Sequence, residues 1–209
     1  MIEVEVLCEH PNNANTYIVK YNGKALIIDP ANDIRSIKTL LKNNQVTGML
    51  LTHGHYDHFK TIDKMIGVYN CKYYMHKNAM LKLKNVDTSC ARYFGYNTPC
   101  MLEQENVSFV NEGSVIDLGE IKIKCYYKPG HTDCSMVYQI EDNLFTGDFL
   151  FQNSIGRCDL PTGSNLVMYR SLNEIKQFGK GADYTIYPGH GDSTTLHTEI
   201  KNNYYLLKN

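Results

Sequence analysis

Thr52-His53-Gly54-His55-Tyr56-Asp57-His58 places four potential metal ligands within six positions. Imidazole and carboxylate are ligands that a borderline cation such as zinc accepts. The run follows Val46–Leu51, a short and mostly apolar stretch that reads as a buried strand delivering Thr52 and His53 to its end. Beyond it, Phe59, Ile62 and Ile66 keep a helical period, so a helix is expected to begin at His58. Three more candidates stand at glycine-marked breaks: His131 in Lys-Pro-Gly-His-Thr, Asp148 in Phe-Thr-Gly-Asp-Phe and His190 in Tyr-Pro-Gly-His-Gly. Each follows a strand-like segment, and strand ends are where α/β proteins gather their chemistry. Seven ligands suffice for two ions. A single histidine beside glycine reads more readily as a turn or core residue, and His10, His76 and His197 are read that way. For the ordered set of seven that reading fails, because buried histidines and aspartates are costly without partners.

Elsewhere the chain alternates strands and helices. Strands are expected at residues 2–7, 16–21 and 25–29, with Asn22-Gly23 as a hairpin turn. Asn32 or Asp33 can cap a helix bearing Ile34, Ile37 and Leu41 on one face. A strand at 72–75 and a helix at 78–84 follow, then strands at 107–110, 114–117, 121–127, 136–141 and 144–146. A helix at 165–178, a strand at 184–187 and a final helix at 194–207 complete the pattern. Periodicity alone supports an α/β protein with mixed sheets, and no linker-like tract divides residues 1–209, so one domain is expected.

Composition narrows the partners. Hydrophobic residues at 43% and charged residues at 21% describe a soluble globular protein with ample core. A formal net charge of −1 without a basic stripe argues against nucleic acid or a membrane surface as partner. No apolar run is long enough to span a bilayer, and the beginning lacks a secretory signal's basic head and apolar stretch. Seven cysteines, an odd number without a CxxC pair, speak against both a disulfide framework and a zinc knuckle. Reduced thiols and a cytoplasmic location are the expectation. Nothing in the sequence sets an oligomeric state.

The HxHxDH run, followed in order by His, Asp and His, resembles the metallo-β-lactamase superfamily of hydrolases. Asn15-Thr16-Tyr17, the strand ending Leu26-Ile27-Ile28-Asp29-Pro30, and Phe149 to Gly163 are similar to its glyoxalase II branch, especially short hydroxyacylglutathione hydrolase-like proteins. The resemblance implies an αββα sandwich formed by a single catalytic domain over residues 1–209. It implies two divalent metal ions, zinc foremost, with iron or manganese as alternatives. His53, His55 and His131 would hold the first ion, Asp57, His58 and His190 the second, and Asp148 would bridge them. A zinc held by three histidines keeps a position open for water and lowers its pKa to roughly 7.

The implied reaction is hydrolysis of a thioester such as S-lactoylglutathione by a metal-bound hydroxide, with Asp57 orienting the attack. A thiol of pKa about 8.5 leaves without a strong acid. The alternative is persulfide dioxygenation at one iron held by His53, His131 and Asp148, a facial triad. The partner in either case is a small molecule. Three residues are candidates outside the ligand set. Asp29 could fix a ligand tautomer or merely start an Asp-Pro turn. Arg157 could bind a substrate carboxylate or clamp Asp159, and Tyr17 could line a pocket or the core. The chain departs from the family pattern at Asp133-Cys134-Ser135 and at Lys60-Thr61, and the expectation is a catalytic domain alone, without the helical domain that completes the glutathione site in full-length glyoxalase II. Cys134 and Cys158 would then lie near the metals, as inert or oxidation-sensitive thiols.

Overall fold

Asn22 and Gly23 both take positive φ, at 46° and 75°, as a tight two-residue hairpin turn requires. They join two antiparallel strands, and the structure grows outward from that hairpin. The structure is a computed structural model describing residues 1–208. The chain divides into two compact units, Met1–Val110 and Asn111–Asn209.

In the first unit, β1 (Glu3–Leu7), β2 (Thr16–Tyr21) and β3 (Lys24–Ile28) are antiparallel neighbours. Helix α1 (Ile34–Leu41) buries Ile37 and Leu41, and Asp33 caps it by accepting from the Arg35 amide. It crosses to β4 (Gln45–Leu50), which runs parallel to β3. Two short helices follow, α2 (Tyr56–Phe59) and α3 (Ile62–Met65), in place of the single helix expected from His58. Between them, Thr61 donates its N–H to the Pro30 carbonyl and its hydroxyl to the Asn32 carbonyl, which diverts the backbone. β5 (Lys72–Met75), α4 (Lys77–Leu83) and β6 (Val107–Phe109) complete a six-stranded sheet in the order β1-β2-β3-β4-β5-β6. His76 caps α4 by accepting from the Asn78 amide, so this histidine has a local structural task.

The second unit holds β7 (Val115–Asp117), β8 (Lys122–Tyr127), β9 (Met136–Ile140) and β10 (Asn143–Gly147) as an antiparallel run. A small hairpin of β11 (Leu150–Phe151) and β12 (Ser154–Ile155) follows. Helix α5 (Asn165–Phe178) has the expected extent, with Met168, Leu172 and Ile175 buried along one face. Ser164 caps it by accepting from the Val167 amide, and losing such a cap typically costs about 1 kcal/mol. β13 (Thr185–Pro188) returns parallel to β10, and β14 (Thr194–Thr195) pairs with its other edge. The sheet order is β14-β13-β10-β9-β8-β7. The helix expected over 194–207 is instead β14 followed by α6 (Leu196–Asn202) and α7 (Tyr204–Leu207). Asn203 interrupts it with ψ 118°, capping the Tyr205 amide through its side chain. Val137, Leu144, Phe149, Leu150, Met168 and Leu172 form the centre of this unit's apolar core.

Parallel pairing decides where the polar residues gather. Ile28 of β3 lies beside Leu50 of β4, so Asp29 and Thr52 emerge at the same sheet edge. Gly147 of β10 lies beside Pro188 of β13, so Asp148 and His190 emerge together. β8 runs in the same direction as β10, two antiparallel steps away, and delivers His131 to that edge as well. These are the carboxyl ends of strands, where open α/β sheets place ligand sites.

Candidate metal centre

In the first unit the four candidate ligands occupy the β4–α2 turn and α2 itself. His53, His55 and His58 are each at most 3% exposed. The rings of His53 and His55 stand 4.8 Å apart, and those of His53 and His58 4.1 Å. Three imidazoles packed so closely cannot all carry charge in a buried setting. The tautomers of His53 and His58 are set by the carboxylate of Asp29, which is 2% exposed. Its Oδ2 accepts from His58 Nδ1 at 2.8 Å and from the Thr52 hydroxyl at 2.6 Å, and its Oδ1 accepts from the Thr52 amide at 2.8 Å. With that hydroxyl hydrogen committed, Thr52 Oγ1 accepts from His53 Nδ1 at 3.2 Å. Both histidines therefore carry the proton on Nδ1 and keep Nε2 as the lone-pair nitrogen, the form in which imidazole binds a metal.

Asp29 has φ 50°, in the left-handed region that aspartate tolerates better than most residues. The Asn15-Thr16-Tyr17 stretch supports that turn. Thr16 Oγ1 donates to the Asp29 carbonyl at 2.7 Å and accepts from the Ala31 amide at 2.9 Å. Tyr17 is 4% exposed, with its hydroxyl accepting from Asn15 Nδ2 at 3.0 Å.

The donor atoms are spaced as neighbours around an ion would be. His53 Nε2 lies 3.1 Å from His55 Nδ1. Two nitrogens each about 2.0–2.1 Å from one tetrahedral zinc stand roughly 3.3 Å apart. His58 Nε2 lies 3.9 Å from Asp57 Oδ2, beyond hydrogen-bond range. Imidazole and carboxylate donors at these separations fit a zinc-class cation.

In the second unit, His131 Nδ1 donates to the Arg157 carbonyl at 2.7 Å. A carbonyl can only accept, so Nε2 is again the lone-pair nitrogen, and it faces Asp148 Oδ2 at 3.5 Å. The other carboxylate oxygen, Oδ1, faces His190 Nε2 at 3.7 Å. Asp148 thus offers a different oxygen to each of two imidazoles. His190, with a side chain 30% exposed, is the most accessible of the candidate histidines, and the Phe151 ring stands edge-on to it at 6.1 Å.

Glycine shapes this half. A Cβ on Gly130, φ 147°, would come within 2.4 Å of Met168 Cα, so the His131 loop lies directly on α5. A Cβ on Gly156 would come within 1.9 Å of the Asp148 carbonyl oxygen and 3.0 Å of His131 Nδ1. That close approach lets Arg157 present its carbonyl to His131.

The Arg157 guanidinium is bound by Asp159, with Nε to Oδ1 at 2.6 Å and Nη2 to Oδ2 at 2.7 Å. The arginine holds the Asp159 carboxyl down at about 2. Arg157 therefore serves His131 through its main chain, while its side chain makes the clamp that was one of its two sequence readings. Cys134 is fully buried, with Sγ 3.2 Å from Thr132 Oγ1. Burial raises the Cys158 thiol above its ordinary value, which opposes reactivity at neutral pH. The sequence reading missed Thr52 and Gly156. Thr52 stands next to the motif and Gly156 beside Arg157, and only strand register reveals what each supports.

The model of the metallo-β-lactamase superfamily matches residues 11–190. A probable polyketide biosynthesis zinc-dependent hydrolase, PksB of Bacillus subtilis, is 28% identical, over 90% of this chain and 77% of its own length. The solved BLEG-1 B3 metallo-β-lactamase superposes with a TM-score of 0.88 at 28% identity, covering 98% of this chain and 99% of that one. TTHA1623, solved in a di-iron-bound form, gives 0.83 at 25% identity over 97% and 100%. The specific likeness to glyoxalase II is not what these relatives display; the broader family is. With its two mixed sheets and its histidine and aspartate clusters, the chain belongs to the metallo-β-lactamase superfamily of metal-dependent hydrolases.

Proposed function

We propose that this chain hydrolyses small acyl-thiols at a two-metal centre. His53, His55 and His131 hold one ion, Asp57, His58 and His190 hold the other, and Asp148 is shared. The observation that carries the reading is the position of Asp148, whose two oxygens face two different histidines at 3.5 and 3.7 Å. A one-metal site needs no carboxylate so placed. The locked tautomer of His58, a residue a one-metal triad leaves idle, supports the same reading. When bound, such ions supply Lewis acidity and bring the pKa of a coordinated water near 7.

The chain's own residues supply the rest. Asp29 and Thr52 hold His53 and His58 in their metal-binding tautomers. The Arg157 carbonyl does the same for His131. Asp57, its side chain 16% exposed, orients the attacking water while serving as a ligand. The thioester assignment rests on the residue pattern shared with glyoxalase II-like hydrolases and on leaving-group chemistry. A thiolate of pKa about 8.5 departs near neutral pH without protonation, which suits a site whose titratable groups are committed to metal. Zinc is the first choice of metal, with iron or manganese as alternatives.

A panel of S-lactoylglutathione, other acyl-thiols and a β-lactam, assayed beside oxygen uptake with a persulfide, tests the proposal. Thiol release without oxygen consumption is expected. Oxygen uptake that depends on iron, with no thioester cleavage, would replace the hydrolase reading by persulfide dioxygenation at His53, His131 and Asp148.

A further inference from the structure

Glu199 lies on α6 and is fully buried. Its carboxylate is held by neutral donors. Oε1 accepts from Thr194 Oγ1 at 2.7 Å, and Oε2 accepts from the Asn153 amide and from Asn203 Nδ2, both at 2.8 Å. Asn203 Nδ2 also donates to the Ser154 carbonyl at 3.0 Å. Desolvating a carboxylate is costly, and the neighbouring core of Phe149, Leu150, Leu196 and Leu206 would be packed more cheaply by an apolar residue. Packing does not explain the choice of residue.

What its donors have in common does explain it. Asn153 and Ser154 belong to the β11–β12 hairpin, and Asn153 sits at its turn with φ 56°. That hairpin begins just after Asp148. It carries Phe151, whose ring packs edge-on to His190, and it leads through Gly156 to the Arg157 carbonyl that holds His131. One hairpin thus adjoins all three candidate ligands of the second unit. Thr194, the remaining donor, closes the short segment that leaves His190. Glu199 therefore ties the segment after Asp148 to the segment after His190, from behind the ligands.

We infer that Glu199 is a positioning residue for the ligand set of the second unit, keeping Asp148 and His190 in register to share an ion. The inference rests on the proposed two-metal reading. Its consequence reaches both ions: loosening the hairpin disturbs His131 and Asp148 for the one, and Asp148 and His190 for the other. Asn203, which bonds both Glu199 and the hairpin, shares the task.

The test is a zinc titration against a chromophoric chelator for wild type, Glu199→Gln, Asn203→Ala and Leu206→Ala. Wild type takes two zinc ions. Glu199→Gln binds both zinc ions about 10-fold less tightly, the lower end of the range for residues supporting metal ligands. Asn203→Ala shifts in the same direction, and it carries the test if Glu199→Gln does not fold. Leu206→Ala removes a fully buried side chain of the same core and should lower Tm without moving either zinc constant. Two unchanged constants in both polar variants, or an equal loss in Leu206→Ala, would overturn the inference and leave the two-metal reading intact. A wild type that takes only one zinc would overturn the two-metal reading itself.

Discussion

The candidate ligands of the Met1–Val110 unit come from one run of six residues, whereas His131, Asp148 and His190 each come from the end of a different strand. The supports differ in kind as well. Around His53 and His58 a side-chain network converges on Asp29, so one carboxylate governs two ligands. Around His131 the support is a main-chain carbonyl, placed by a hairpin and by two glycines that allow close backbone approach. Exposure does not follow that division: His53, His55, His58 and His131 are each at most 3% exposed, and among the candidate histidines the His190 side chain stands apart at 30%. The first half thus depends on side chains that touch its candidate ligands directly, and the second on backbone geometry that Glu199 and Asn203 hold from one step further back.

The largest expected effect is at Asp148, the carboxylate proposed to be shared. Asp148→Ala should lower turnover by more than ~100-fold, beyond the range seen for residues that merely support a ligand, and should reduce bound metal. Steady-state kinetics and elemental analysis on the same sample check this. Near-normal turnover with full metal would mean that another residue bridges.

Asp29→Asn comes next, because the amide nitrogen cannot accept from His58 Nδ1 or the Thr52 hydroxyl. Metal affinity should fall ~10–100-fold for both ions at once. A loss confined to one ion would break the idea that a single carboxylate governs two ligands. Thr52→Val sharpens the point, since it removes the link to His53 and keeps the bond from Asp29 to His58. It should weaken one ion alone, by about 10-fold.

The smallest effect is expected at Arg157. Arg157→Ala keeps the carbonyl that His131 uses, so metal affinity should stay within the ~10-fold at which supporting residues begin to register. What should move is Asp159. Its carboxyl is depressed to about 2, chiefly by the arginine, and should rise toward the ordinary carboxylate range while its backbone hydrogen bond still holds it somewhat down, as followed by carboxyl-carbon NMR. The sign is that of a depressed acid: the pair stabilises the fold above the ordinary carboxylate pKa and loses that contribution as pH falls through 2. Both partners are exposed, with side chains near two-thirds accessible, so any change in Tm should be small. Loss of metal in this variant would show that the side chain, not the main chain, serves the site.

The candidate ligands of the first half are legible because they are contiguous, and the spacing of HxHxDH survives in the one-dimensional string. Asp29 was legible as a candidate because it ends an apolar strand, but its reach to two histidines depends on the β3–β4 register. In the second half the candidate ligands stand at glycine breaks that the sequence shows. Their supports are not legible: β11 and β12 are two residues each, too short for a periodic signal, and a carbonyl contact leaves no side-chain signature. Helix α5 was read at its full length from its apolar spacing. The final helix was drawn too long because Asn203 is compatible with helix by propensity, and its side-chain bonds to Glu199, Ser154 and the Tyr205 amide decide otherwise. The expectation of an αββα sandwich rests on family resemblance, since periodicity gives only mixed α/β sheets.

The central claim is that the two ligand sets serve two ions together, and elemental analysis of metal-supplemented wild type beside His58→Ala tests it most directly. The account predicts close to two equivalents for wild type, and for His58→Ala close to one equivalent with activity lost. A wild type fixed at one equivalent, with His58→Ala fully active, would contradict it.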